Sequence, residues 1–134
     1  MIDNENTDSK KNIHALGVNY IYHFLDRAGF TIHEVNTDPD HHFQLLAERK
    51  GRAMLIAVRT AHYPDMGTLD KLTRDQLIKE SEKRNAIPHF AGLALTSLES
   101  NDKEVDGLTE KGEYKVVFNG ITVVDKSKLL AANS

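Results

Sequence analysis

The sequence predicts an α/β or α+β domain, in which a helix precedes a central mixed sheet and a second helix interrupts it. Three patterns support this: an N-terminal apolar stripe at helical spacing, an apolar hairpin, and a second helix followed by another apolar strand. The chain has 134 residues, 40% of them hydrophobic, which is enough for one domain with a core. We expect a single domain over 1–134, with a disordered tail at 1–8, a core at 9–98 and a β-hairpin at 108–125.

The first predicted helix begins after a polar segment. Asp8 or Ser9 suits the N-cap position, and Gly29 suits the position just beyond a helix end. His14 and His23 lie near the apolar stripe, and we interpret both as boundary residues rather than ligands. The stripe consists of Ile13, Leu16, Tyr20, Phe24 and Ala28, widened by Ile21 and Leu25.

The predicted sheet is organised around the hairpin at 44–59. A strand over 30–37 and turn residues at 38–40 precede it. The first half of the hairpin alternates apolar and polar residues, residues 53–58 are continuously apolar, and Lys50-Gly51 supplies the turn. Phe43, Leu45 and Ala47 are expected on one face, and Gln44, Leu46 and Glu48 on the other.

The second half of the chain predicts one more helix and three more strands. Thr73 and Gln76 match a capping box, with Leu72 and Leu77 as its hydrophobic staple, so a helix should run from about Arg74 to Arg84. Its stop signals are Asn85 and Pro88, and a buried strand over 89–98 and a polar loop over 99–107 follow. The final hairpin comprises strands at 114–118 and 121–124 around Asn119-Gly120, a preferred type I′ turn pair.

Composition narrows the classes of function. The formal net charge is −3, which argues mildly against a strongly nucleic-acid-binding domain. The net charge does not exclude a groove that is locally basic. The chain contains no cysteine, which excludes disulfides and thiolate metal sites. We expect a soluble, cytoplasmic protein that does not enter a membrane, because no apolar run is long enough for a signal peptide or a span.

The hairpin and the order of elements together resemble the restriction-endonuclease-like fold of the PD-(D/E)XK nuclease superfamily. The corresponding segments are Gln44-Leu45-Leu46-Ala47, a charged turn with Gly51, and Met54-Leu55-Ile56-Ala57-Val58-Arg59. The resemblance covers roughly residues 12–97 and implies an αβββαβ core. It also implies a site in which two carboxylates bind one or two Mg²⁺ ions and a lysine helps to activate water.

The chain departs from this superfamily at the catalytic positions. Gln44 replaces the first Asp, Ala57 replaces the Glu or Asp, and Arg59 replaces the Lys. An amide, a methyl group and a guanidinium cannot assemble an oxygen site for Mg²⁺, and a permanently protonated arginine cannot act as a base. We therefore expect a degenerate active site with no catalytic residues and no cofactor; Mg²⁺ enters only if the protein is an active nuclease. An alternative alignment makes Asp40 the superfamily's Asp, but position 57 still lacks a carboxylate.

Four groups of residues remain as candidate sites, each with a simpler structural interpretation. The first is a remnant pocket of Gln44, Glu48, Ala57 and Arg59, in which Arg59 either binds a phosphate or carboxylate or forms a structural pair with Glu48. The second is a weak metal site of Asp38, Asp40, His41 and His42, which we interpret as a solvated turn because adjacent histidines on an extended chain point to opposite faces.

The third is His62 with Tyr63, beside Arg59 and Thr60, where a histidine could support metal-free RNA cleavage. The simpler interpretation, which we favour, is a loop at a sheet edge. The fourth consists of basic residues on the second helix. They could contact phosphates, but the acids interleaved with them are typical of a solvated helix face, which is the interpretation we favour. These basic residues are Lys71, Arg74, Lys79, Lys83 and Arg84.

The leading functional hypothesis is a non-catalytic protein of nuclease-like fold that binds nucleic acid or protein through the remnant groove. The alternatives are an active nuclease with a rearranged or metal-free site, and a structural or assembly subunit. The C-terminal hairpin, rich in valine, further suggests a homodimer contact, because an uncovered edge strand invites pairing. The identity of the partner does not follow from the sequence.

Overall fold

Two helices and a five-stranded sheet form the structure. The computed structural model describes residues 2–97 and 114–124, with side chains from residue 12 onwards. The sheet order is β1-β2-β3-β4-β5, and all neighbours are antiparallel except the parallel pair β3–β4. This mixed sheet with its αβββαβ order is the predicted restriction-endonuclease-like fold. The elements are α1 (Ile2–Arg27), β1 (Thr31–Val35), β2 (Leu45–Arg49), β3 (Arg52–His62), α2 (Lys71–Arg84), β4 (Ile87–Ser97) and β5 (Tyr114–Val123).

Helix α1 is longer than the sequence predicts. It begins at Ile2 rather than at Asp8 or Ser9, so residues 2–8, predicted to be a disordered tail, lie within it. No glycine or proline precedes Gly17, and a capping residue favours a helix start without enforcing one. The end is as predicted: Gly29 has a φ of 91°, and the Gly29 and Phe30 N–H groups donate to the Asp26 and Leu25 carbonyls in a Schellman motif.

The face that α1 buries is shifted within the predicted stripe. Ile13, Ile21 and Leu25 are buried as predicted, together with Val18, whereas Phe24 is 41% exposed and Ala28 is exposed. The cause is Gly17, because a Cβ there would lie 1.9 Å from Thr60 Oγ1 on β3. The helix therefore approaches β3 most closely at Gly17, and the residues in line with Gly17 face the sheet.

The central hairpin forms as predicted, with one exception. Lys50 and Gly51 adopt positive φ angles of 53° and 78° and connect β2 to β3. Leu45 and Ala47 pack on the α1 side of the sheet, but Phe43 packs on the α2 side. The expectation that Phe43 shares their face is wrong, because β2 begins only at Leu45 and the chain bends just before Phe43.

Helix α2 is capped by a different residue from the predicted one. Asp70 is the N-cap: its carboxylate accepts hydrogen bonds from Thr73 Oγ1 at 2.7 Å and Thr73 N at 3.3 Å. The helix therefore starts at Lys71, and Leu72, the proposed staple residue, is 67% exposed. Asn85 ends the helix with a φ of 58°, as predicted, whereas Pro88 lies within β4 opposite Leu55.

The predicted C-terminal hairpin is absent. Residues 114–123 form one continuous strand, β5, paired along its length with β4. Ala91 pairs with Ile121 and Leu93 with Phe118, so Asn119-Gly120 forms a β-bulge instead of a turn. Pairing with the long strand β4 gives hydrogen-bond partners to more backbone N–H and C=O groups of residues 114–123 than a short hairpin would.

The polar loop predicted at 99–107 lies outside the described residues. Within the described part of the chain, neither helix combines the length and apolar character that crossing a membrane requires.

Candidate functional site at the ends of β2 and β3

Gln44 is the centre of the candidate site. It immediately precedes β2, is fully buried, and uses all four hydrogen-bonding positions of its side chain. Oε1 accepts from the Val58 N–H at 2.7 Å and from Arg59 Nη1 at 3.0 Å. Nε2 donates to the Asp38 and His41 carbonyls at 3.2 and 2.9 Å. The amide thereby ties the 38–41 turn to β3.

Arg59 continues this network. Besides Gln44, Nη1 donates to the Val58 carbonyl at 3.0 Å, and Nη2 donates to the His41 carbonyl at 3.2 Å. Burial lowers the pKa of Arg59, and the Asp70 and Asp40 carboxylates partly oppose that effect. No carboxylate of the described residues lies within hydrogen-bonding distance of this guanidinium. Of the four residues of the predicted remnant pocket, Gln44 and Arg59 are thus in side-chain contact, and the other partners of Arg59 are backbone carbonyls.

Ala57 and Glu48 lie outside this network. Ala57 is fully buried among Phe43, Leu55 and Leu77, beneath α2. Glu48 pairs with Ala53 near the hairpin turn, and its carboxylate lies 2.9 Å from His33 Nε2. The structural pair expected between Glu48 and Arg59 is wrong, because the two residues lie at opposite ends of the hairpin.

The Asp38–His42 segment is a compact turn. The Asp38 side chain accepts from the Asp40 N–H at 2.9 Å. The rings of His41 and His42 lie 4.6 Å apart, so the expectation that they point to opposite faces is wrong, because the chain bends here instead of extending. His42 Nε2 is 3.9 Å from Glu80. Within residues 12–96 and 114–124, whose side chains are described, no three His, Asp or Glu side chains form a cluster that could hold a metal ion.

His62 and Arg59 occupy opposite faces of β3. Thr60 packs against Gly17 of α1, and His62, two residues further along β3, shares that face. Arg59 points to the other side, towards Gln44. His62 and Arg59 therefore do not form the site that the sequence suggested. Tyr63, the other member of that site, is 55% exposed.

The basic residues of α2 include two that are already paired with acids. Lys71 lies 3.4 Å from Asp75. Arg84 contacts Glu80 at 2.7 Å and Glu34 at 2.6 Å, and these hydrogen bonds raise its pKa. This pairing agrees with the interpretation of a solvated, mixed-charge face.

His14, interpreted from the sequence as a boundary residue, is buried beside the candidate site and feels the charge of Arg59. It is 4% exposed, and its Nε2 atom is buried without a hydrogen-bond partner among the described residues. Burial lowers its pKa from 6.5 to about 4; Arg59 acts in the same direction, whereas Asp38 and Asp40 oppose it. The burial of His14 could have been predicted from Gly17. Residues three apart share one face of a helix, so His14 lies on the face that approaches β3.

We expect acid to destabilise the protein through His14. Its folded-state pKa of about 4 lies below its unfolded value of 6.5, so the unfolded chain binds more protons between these values. The free energy of unfolding should be unaffected by His14 above pH 6.5 and should fall by about 2 to 3 kcal/mol as the pH drops to 4. The pKa values of His42 and His89 are also lowered, chiefly by burial, and act with the same sign.

Urea unfolding of wild type and His14→Gln at several pH values measures this contribution. The variant should lose less stability between pH 6.5 and pH 4 than wild type does, because glutamine does not titrate. Parallel stability curves for the two proteins would show that His14 is not the responsible group.

Comparison with known proteins defines the family. One similar solved structure is that of Archaeoglobus fulgidus Hjc, a Holliday junction resolvase from an archaeal hyperthermophile. It shares 15% sequence identity and a TM-score of 0.45, over 81% of this chain and 88% of that chain. No curated protein matches the sequence. A family model described as "Domain of unknown function (DUF8840)" matches residues 11–124, and the chain belongs to that family.

Proposed function

We propose that this protein is a non-catalytic member of the nuclease-like fold that works by binding a partner. The main support is the hydrogen-bond network of Gln44 and Arg59. Where the resemblance implies a carboxylate and a lysine, these side chains fasten the 38–41 turn to β3. Ala57 is enclosed by apolar side chains and offers no ligand atom. A hydrolytic site built on these positions would need groups that the chain does not supply there.

Among the two partner classes left open, charge favours a protein over nucleic acid. Nucleic-acid affinity depends on lysine and arginine side chains that are free to neutralise phosphates. Here the net charge is −3, Lys71 and Arg84 are paired with acids, and Arg59 is half-buried. Within the remnant groove, Arg59 is the residue most able to reach a partner, because Gln44 and Ala57 are fully buried.

Two alternatives receive less support. An active metal-free nuclease built on His62 needs a cation nearby, and Arg59 lies on the other face of β3. A homodimer through the C-terminal residues stays a prediction: β5 pairs with β4 of its own chain and leaves its outer edge as a possible contact. A cytoplasmic location likewise stays a prediction.

The proposal predicts no nuclease activity. Incubation with linear duplex DNA, single-stranded DNA and RNA, with Mg²⁺, with Mn²⁺ or with chelator, should leave every substrate intact. Salt-dependent binding of the same substrates, measured by fluorescence anisotropy, should be weak. Cleavage that persists through purification and disappears in Asp40→Ala or His62→Ala would overturn the non-catalytic assignment and locate the true site.

A further inference from the structure

A groove between α1 and the end of β1 is separate from the Gln44–Arg59 network. It has a volume of about 630 Å³, and among the side chains that the structure describes, from residue 12 onwards, none of those lining it is Lys, Arg, Asp or Glu. Its floor and walls include Ala15, Val18, Asn19, Tyr22, Val35 and Thr37. Past Asn12 it continues to the 36–39 turn, where Asp38 is the charged residue of the described lining. An apolar groove of this size with a few amide and hydroxyl groups is typical of a binding site.

The free edge of the sheet runs beside this groove. β1 is an edge strand, and the Asn36 N–H donates to the Gln44 carbonyl at 2.7 Å. Backbone groups alternate in direction along a strand, so the N–H and C=O groups of Val35, the residue before Asn36, face away from β2. Within the described residues no backbone hydrogen bond outside the strand ladders involves Thr37. The groove thus lies beside backbone groups that are available to another strand.

A bulge in β1 turns Val35 towards the groove. The register shifts between Ile32 and Glu34, and the Glu34 carboxylate contacts Arg84 of α2 at 2.6 Å on one side of the sheet. Val35, the next residue, therefore points to the α1 side, where it is 49% exposed and lines the groove. The bulge also limits straight pairing to the short stretch at 34–37.

We propose that this groove and edge bind an extended, uncharged peptide segment of a partner protein. The segment adds a short strand beside Val35–Thr37 and places an apolar side chain against Val18, Tyr22 and Val35. Strand addition draws affinity from main-chain hydrogen bonds and specificity from alternate side chains. The described lining around Val18, Tyr22 and Val35 carries no charge and selects against acidic or basic side chains there, since burying an unpaired charge is costly. This inference goes beyond the proposed function, because it places partner binding in a groove that is separate from the Gln44–Arg59 network.

The test uses the full chain and a phage-displayed library of random peptides. Selected peptides should lack charge over a short apolar core and should shift the amide NMR signals of Val35, Thr37 and Asn19. Val35→Lys should weaken their binding at least about tenfold, because it buries an unpaired ammonium group against the peptide. Val123→Lys is the matched control: Val123 is 60% exposed at the opposite edge of the sheet, and its replacement should not change binding.

Several results would overturn the proposal. They include selection of no binder, selection of charged peptides, equal binding by Val35→Lys, or equal loss with Val123→Lys. If sedimentation shows a dimer that Val35→Lys dissociates, the occupant is a second copy. If deletion of 125–134 is needed before peptides bind, the occupant is the chain's own C-terminal segment. Nuclease activity would refute the proposed function instead, whereas failed peptide selection without nuclease activity refutes only this docking site.

Discussion

Gln44→Leu is expected to lower the free energy of unfolding by about 3 to 5 kcal/mol. The change leaves the buried Val58 N–H without its acceptor and removes the side-chain acceptor of Arg59 Nη1. It also releases the Asp38 and His41 carbonyls from the Gln44 amide. Leucine is close to glutamine in size, so the loss reports on polar contacts rather than on a cavity. Equilibrium urea unfolding at pH 7 measures the change.

Gln76→Leu is the matched control, because it makes the same replacement at an exposed position on α2. Its effect should stay within about 0.5 kcal/mol. The double variant Gln44→Leu/Arg59→Met tests whether the two side chains act together. Its loss should be smaller than the sum of the single losses, because removing Arg59 removes a charge that Gln44→Leu leaves poorly paired. A Gln44→Leu loss below about 1 kcal/mol would contradict a structural role and weaken the non-catalytic proposal.

The successful sequence predictions rest on local patterns that the fold does not override. The apolar run at 53–58 and the Lys50-Gly51 turn define β2 and β3, and these strands place Gln44 beside Arg59. Asn119-Gly120 shows the limit of such patterns. The pair is compatible with a type I′ turn and with a bulge, and only the presence of β4 decides between them.

The partners of the site residues were harder to predict for a related reason. Arg59 bonds to the carbonyls of His41 and Val58, and backbone acceptors occur at every residue, so sequence provides no signal for them. Charge alone suggests Glu48 as a partner of Arg59, but the hairpin register separates the two residues. His14 was similarly misplaced, because its burial depends on the orientation that Gly17 imposes on α1.

Gly67 fixes the segment that precedes α2 against β3. Its N–H donates to the Leu93 carbonyl at 3.0 Å, and its Cα lies against the backbone of Arg59. A Cβ at Gly67 would lie 1.9 Å from the Arg59 carbonyl oxygen and 2.2 Å from its carbon. β3 is the central strand of the sheet and is hydrogen-bonded on both sides, so it cannot retreat from such a contact.

Gly67→Ala should therefore displace the segment, break its bond to Leu93 and cost about 3 kcal/mol or more, or at least about 8 °C in Tm. Gly17→Ala is the informative comparison: its Cβ meets a side-chain atom, Thr60 Oγ1, at the same 1.9 Å. Thr60→Ala should recover much of the Gly17→Ala loss, because it removes that atom, whereas a side-chain change at Arg59 should not rescue Gly67→Ala. Calorimetry of the four variants separates the two cases. A Gly67→Ala protein that melts within about 2 °C of wild type would show that this segment is not fixed against β3.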